Sequence, residues 1–329
     1  MTKQVLYVTH QGARIHRSDG MIAVTIDDQR IERLPIDTLD RILVFGNVQI
    51  TTQAIALLLS HGVNVSFLSA SGRFRGQLTS PESGNVFVRL AQHERYHDTA
   101  FRERFARNLI ADKIRESRVL LMRHARNHKD FAAEIQQAAR ELRELTHRLR
   151  TIPTTETLRG LEGAAAAAYF RAFGKMVRGP FNFEGRSRRP ARDSVNALLN
   201  LGYTLVGQEI SDRLETVGLD PRIGFLHGVR YGRRSLALDL IEPHRVRVVD
   251  RITLSLINRR SFLPDDFFDQ GGRQGVRLKP PAFRRYLSSF ENAMNEPGRD
   301  GLSPRHRIQV HVTQVRAQIV DPQLEKVPA

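Results

Sequence analysis

Two periodicities divide the chain near residue 90. Up to about residue 80 the apolar positions come in short β-prone runs: Val5-Leu6-Tyr7-Val8, Ala13-Arg14-Ile15-His16, Met21 to Ile26, and then Ile31, Ile36, Ile42-Leu43-Val44-Phe45 and Val63-Asn64-Val65-Ser66-Phe67-Leu68. Asp19-Gly20 and Asp27-Asp28 fall between runs as turns, so the runs read as strands. One short helix interrupts them, with Thr51 or Thr52 as cap, Gln53 to Ser60 as body and Gly62 as stop. Ser80-Pro81-Glu82-Ser83-Gly84-Asn85 reads as a turn-rich linker.

From about Asp98 the apolar positions recur at helical spacing, through Phe101, Phe105, Leu109 and the stretch Asp112 to Ile114. Asn127-His128 breaks this helix from one that runs through Ile135 and Leu142 to Leu149. Thr154-Thr155 caps a third through Phe173, and a fourth runs from Asp193 to about Val217 and stops at Gly218. A further helix begins near Asp239, and residues 282–295 and 303–320 are helical as well. The expected fold is α+β and multidomain: a β-rich domain over residues 1–88, then a larger all-α domain over residues 89–329.

Charge narrows the function. Lys and Arg total 51 against 35 for Asp and Glu, a formal net charge of +16. A folded chain this basic meets a polyanion, either nucleic acid or an anionic membrane surface. No apolar run reaches membrane-spanning length and the first residues lack an apolar signal core, so nucleic acid and a cytoplasmic location are expected. The chain has no cysteine, so any metal site must draw on His, Asp and Glu.

Three places carry candidate chemistry. Leu158, Glu162, Ala165 and Tyr169 share one helical stripe, which sets a carboxylate on an otherwise apolar, small-residue face. Taken alone, the simpler reading is a carboxylate at the edge of the stripe reaching water. His227 lies in Gly224-Phe225-Leu226-His227-Gly228-Val229-Arg230-Tyr231-Gly232, where the glycines let backbone approach a phosphate, although a lone loop histidine is more often ordinary surface. Asp239 and Glu242 are three apart on one helix face, which equally resembles a capping box with Pro243 in the first turn. Together Glu162, His227 and Glu242 would suit a divalent ion such as Mg²⁺ or Mn²⁺, but spacing alone does not show that they meet.

Arginines flank these places. Arg186, Arg188, Arg189 and Arg192 form one cluster, and Arg230, Arg233 and Arg234 form another between His227 and Asp239. Such runs are usually solvated, yet the second lies inside the candidate segment, where Arg230, Arg233 and Arg234, with Arg188 and Arg189, are candidates to grip DNA phosphates. Asn196 and Asn200, four apart, read as capping and polar packing or as functional residues, and Tyr203 shares their helix.

At this point the chain resembles a known family, the CRISPR-associated integrases and endonucleases of spacer acquisition, and most nearly those of type I systems. The resemblance rests on Phe45-Gly46-Asn47-Val48-Gln49-Ile50-Thr51, Leu161-Glu162-Gly163, Asp193-Ser194-Val195-Asn196-Ala197-Leu198-Leu199-Asn200, Gly224-Phe225-Leu226-His227 and Leu236-Ala237-Leu238-Asp239-Leu240-Ile241-Glu242, in that order along nearly the whole chain. It implies Glu162, His227 and Glu242 as catalytic metal ligands for Mg²⁺ or Mn²⁺, with Asp239 in support. It also implies a homodimer through the β-domains, a small second subunit forming a hetero-oligomer, and double-stranded DNA as substrate, both spacer precursor and CRISPR repeat. One departure is Pro243, where relatives often carry a second acidic residue. A DNA repair nuclease with the same site and a non-catalytic DNA-binding scaffold remain as alternatives.

Overall fold

A computed structural model describes residues 3–320 except 28, 81–85, 150–153, 189 and 273. Most of the expected linker, the Asp28 half of one turn, Arg189 and the C-terminal residues from 321 therefore lie outside the described residues. The chain separates into two compact units, one of Met1–Gly84 with Phe283–Glu291 and one of Asn85–Ala282 with Asn292–Ala329.

The first unit holds two four-stranded sheets. One has the order β1 (Gln4–Val8), β5 (Leu39–Phe45), β7 (Asn64–Leu68), β8 (Phe74–Leu78); the other has β4 (Gln29–Pro35), β3 (Met21–Ile26), β2 (Arg14–Ser18), β6 (Gln49–Ile50). Ser18 pairs with Met21 across Asp19 and Gly20, both at positive φ (47° and 75°), the backbone a two-residue hairpin needs. Ile15 and Val24 of one sheet, Ile42 and Val65 of the other, and Ala54 and Leu58 of α1 (Thr52–Ser60) are buried in a single core. Thr51 caps α1 by accepting from the Ala54 amide at 3.2 Å, as the sequence predicts. Phe283, from a distant part of the chain, meets Phe45 edge-on with ring centroids 5.2 Å apart.

The second unit is mostly helical: α2 (Val86–His97), α3 (Thr99–Asn127), α4 (Ala132–Arg148), α5 (Thr155–Met176), α6 (Ser194–Thr216), α7 (Ser235–His244), α8 (Arg251–Asn258), part of α9 (Pro280–Asn295), and α10 (Pro304–Ile319). The strand-rich first region and helical second region agree with the fold class expected from the sequence. One short antiparallel pair, β9 (Phe267–Asp269) with β10 (Val276–Leu278), adds strand to the region expected to be all-α. Asp98, Thr154 and Asp193 cap α3, α5 and α6, and Gly218 follows α6 at φ 83°.

Two departures have physical causes. The helix α2 carries Val86, Phe87 and Leu90 exposed, while its buried face includes Gln92, whose side chain grips the carbonyls of Asp220 and Ile223 at 2.9 and 3.0 Å. No clean apolar stripe announces such a helix. The expected helix start at Asp239 is also displaced. The helix α7 begins at Ser235, so Asp239 lies in its interior and Pro243 near its end. Pro243 cannot donate to the carbonyl four residues back. The next residues, Arg245–Asp250, wind as a π-helical turn that leads into α8. Asp239 and Glu242 therefore do not form a capping box.

Candidate active site

The His227 loop is built around Asp239. This fully buried carboxylate accepts from the backbone amides of Phe225 (2.6 Å), Leu226 (2.9 Å) and His227 (2.9 Å), and from His227 Nδ1 at 2.6 Å. A carboxylate only accepts, so Nδ1 carries a hydrogen, and in the neutral imidazole Nε2 would then be the nitrogen with the lone pair. The loop is anchored twice more. Phe225 packs against Phe101 and Phe105 of α3, with centroids 5.1 and 4.9 Å apart, and Arg159 of α5 donates to the Leu226 carbonyl at 3.0 and 2.6 Å. Gly224 is required by closeness: a Cβ there would fall 2.6 Å from the Ser235 carbonyl carbon and 2.8 Å from Asp239 Oδ2. The loop amides of 225–227 thus turn inward to a carboxylate rather than outward to a phosphate.

The structure joins Glu162 and Glu242 through a cation that the sequence reading did not single out. Lys113 of α3 places its ammonium against Glu162 Oε1 and 2.7 Å from Glu242 Oε2. Arg245 pairs with the other oxygen of Glu242 at 2.8 Å. The Glu162 side chain is 21% exposed and that of Glu242 only 2%. Burial pushes Glu242 up, but Arg245 and Lys113 outweigh it and hold the carboxyl at about 2. His227 lies near enough to act on Glu242 in the same direction.

A second buried cluster adjoins this one. Asp250, at the end of the π turn, accepts from the hydroxyls of Tyr169 (2.7 Å) and Tyr203. Two guanidiniums lie over the Tyr203 ring, Arg186 at 4.9 Å and Arg245 at 5.2 Å. Arg245 therefore links Glu242 to the Asp250 cluster. Arg186 is further held by Asn196 Oδ1 (2.8 Å) and Asn200 Oδ1 (2.6 Å). Asn196 also donates to the Gly185 carbonyl at 2.8 Å, and Asn200 to that of Arg188 at 2.8 Å. Both asparagines thus brace the segment 185–188, which is the packing role weighed for them.

Burial raises Asp250 to about 6, against the lowering effect of the two tyrosine hydroxyls and of Arg186 and Arg245. A carboxyl raised from 3.8 in this way favours the folded state fully below pH 3.8 and loses that contribution as pH rises through about 6. Above pH 6 the ionised group is a liability of about 3 kcal/mol. In Asp250→Asn the amide can accept from one tyrosine and donate to the other. Its stability relative to wild type is expected to rise by about 3 kcal/mol between pH 4 and pH 8 in urea titrations. Equal differences at the two pH values would refute the assignment.

The arginines separate by environment. Of Arg230, Arg233 and Arg234, only Arg230 is exposed. Arg233 folds back onto the Gly228 carbonyl and Ser235, and Arg234 reaches Gln208 Oε1 at 3.0 Å. Arg188 and Arg192 are exposed and Arg186 is turned inward. Among the described arginines of these two clusters, Arg230, Arg188 and Arg192 are the exposed ones, and Tyr231 in the His227 loop is fully exposed.

Among the described residues no three His, Asp or Glu side chains stand close enough, as placed, to hold a metal ion. The donor set nonetheless suits a hard divalent ion: two carboxylates, one imidazole and a carboxylate that fixes the imidazole's tautomer. Glu242 supports this fit: it is buried, Arg245 and Lys113 hold its carboxyl well below the usual range, and its Oε2 faces the same ammonium as Glu162 Oε1.

The geometry defines a class: a strand-rich unit, then a mostly helical unit carrying a carboxylate–histidine site on α5, α7 and the loop before α7. The family model for CRISPR associated protein Cas1 matches residues 6–292, and the chain belongs to that family. A relative from Rhodospirillum rubrum, CRISPR-associated endonuclease Cas1 2, is 36% identical over 303 residues, covering 89% of this chain and 87% of its own. Among solved structures, a Cas6-RT-Cas1–Cas2 complex aligns with a TM-score of 0.84 and 24% identity over 97% of this chain and 35% of that longer chain. A casposase bound to integration product aligns with a TM-score of 0.79 and 23% identity over 100% of this chain and 96% of that one. At these identities the structural likeness establishes the fold.

Proposed function

We propose that this chain is a divalent-metal-dependent DNA endonuclease and integrase that inserts spacer DNA into a CRISPR array. The observation that carries this reading is the meeting of Glu162 and Glu242 beside a histidine whose tautomer Asp239 fixes, in a chain of net charge +16. Family membership, a curated relative named as an endonuclease and a structural neighbour caught with an integration product support it.

In the proposed reaction the 3′-oxygen of a spacer precursor forms a bond to a phosphorus at the end of a repeat. The P–O bond to the 3′-oxygen of the nucleotide flanking the repeat breaks, and the proton passes from the attacking to the leaving oxygen. Glu162, His227 through Nε2, and Glu242 are the residues that would hold Mg²⁺ or Mn²⁺, which supplies charge stabilisation at the phosphate. Asp239 keeps the imidazole oriented, and Arg230 with Arg188 offers outward-facing cations to flanking phosphates. No covalent protein intermediate is needed. Water in place of the 3′-hydroxyl gives strand cleavage. The partners that go with this reading are double-stranded DNA, a second copy of the chain through the β-domain and the small Cas2 subunit, in the cytoplasm. No helix among the described residues is long and apolar enough to cross a membrane.

The test is strand joining between a repeat-bearing plasmid and a duplex with free 3′-hydroxyls, with the small subunit present, in Mn²⁺, Mg²⁺ or chelator. Joining that needs a divalent ion and disappears in Glu162→Ala is expected. Cleavage without joining would leave a nuclease only, and joining that survives in Glu162→Ala would remove that residue from the site.

A further inference from the structure

Lys113 occupies a position that its surroundings make unusual. Three helices converge on one ammonium: α3 supplies it, α5 supplies Glu162, and α7 supplies Glu242. Lys113 is buried, and it interrupts a row of buried residues spaced by four on α3, namely Phe105, Leu109, Ser117 and Leu121. Two carboxylates held this close repel one another unless a cation sits between them. Here the two carboxylates already face two cations, Lys113 and Arg245, while the third carboxylate of the site, Asp239, is turned to the His227 imidazole.

We propose that Lys113 is the resident cation of the metal-free site, standing between Glu162 and Glu242 until a divalent ion is held there, and that it must then withdraw. The proposal rests on reading Glu162, His227 and Glu242 as the metal ligands. Two further positive charges entering a largely buried cluster whose two glutamates already face two cations would leave an excess of positive charge unless a resident cation moved or an anion arrived. Of the two residents, Lys113 is the one suited to move. Its ammonium is a point charge on a flexible four-carbon stem, shared between Glu162 Oε1 and Glu242 Oε2. Arg245 carries a planar guanidinium that pairs with Glu242 and lies over the Tyr203 ring. Lys113 thus competes with the metal for both carboxylates and, once displaced, remains beside the site as a cation available to a DNA phosphate.

The test compares Mn²⁺ binding by calorimetry and thermal melting in chelator and in saturating Mn²⁺, using full-length wild type, Lys113→Met and Lys113→Arg. Lys113→Met is expected to bind Mn²⁺ about tenfold more tightly, a shift of about 1.4 kcal/mol. It should melt lower than wild type in chelator and show the larger gain on adding Mn²⁺. Lys113→Arg, which keeps the charge, is expected to bind no more tightly than wild type. Should Lys113→Met not fold, Lys113→Gln, which removes the charge and keeps polar hydrogens for the carboxylates, replaces it with the same expectation. Binding in the neutral variant that is unchanged or weaker overturns the proposal while wild-type Mn²⁺ binding keeps the metal reading intact. Absence of Mn²⁺ binding in wild type and neutral variant alike overturns both. Binding confined to the neutral variant would be the strongest support.

Discussion

Asp239→Ala is expected to lose about 4 kcal/mol of stability, more than an ordinary substitution costs, because four donors lose their acceptor at once. The amides of Phe225, Leu226 and His227 and the His227 imidazole all end on this one fully buried carboxylate. Each buried donor left unsatisfied costs about 1–3 kcal/mol, and water entering the small space left by the side chain would recover part of the sum. Asp239→Asn should fall between alanine and wild type, since an amide offers one acceptor oxygen where the carboxylate offers two. Function should suffer separately from stability. Without its partner the imidazole can turn or carry its hydrogen on Nε2, and metal affinity is expected to fall about 10–100-fold. Urea unfolding and Mn²⁺ calorimetry on the same samples check both. A loss of less than 1 kcal/mol in Asp239→Ala would show that the loop is held by Phe225 and Arg159 instead.

Much of this arrangement was legible in the sequence, and the exceptions share a cause. Helix ends were readable because caps are local: Thr51, Asp98, Thr154 and Asp193 each bond the amide three residues on. Glu162 was readable as a charge on an apolar row, since Leu158, Ala165 and Tyr169 are all buried. A weaker form of that signal was present at Lys113, which has the buried Leu109 and Ile110 one turn before it but the polar Ser117 one turn after. Asp239 misled because a capping box and a mid-helix carboxylate have the same spacing. Only the fold shows that the amides it satisfies belong to the preceding loop rather than to its own helix. Asp250 was hidden for a related reason. It follows the apolar run Val246, Val248 and Val249, and nothing local announces that Tyr169 and Tyr203, 81 and 47 residues away, converge on it. The arginine runs were legible as charge but not as partners: Arg186 and Arg234 point into the protein, and no rule of spacing separates them from Arg188 and Arg230.

Glu242→Gln is expected to show that the charge of this cluster, rather than its shape, holds α7 to α3. The substitution keeps volume and removes the anion that both Lys113 and Arg245 contact, leaving Lys113 with Glu162 as its paired carboxylate. A carboxyl held at about 2 against an ordinary 4.5 contributes stability above pH 4.5 that is lost as pH falls through about 2. That contribution is about 3 kcal/mol, so Glu242→Gln should be less stable than wild type by about that much at pH 7 and by little near pH 2. A difference independent of pH would mean that packing, not ionisation, is responsible. Lys113→Met added to Glu242→Gln should restore part of the loss, because it removes one of the two cations, and the coupling between two touching residues is measurable in such a cycle. The two single variants should then move Mn²⁺ affinity in opposite directions: weaker without the Glu242 carboxylate, tighter without the Lys113 ammonium. A cluster that merely fastened three helices together would lose stability in both variants and show no such opposition, so the sign of the change in metal affinity separates a site from a staple.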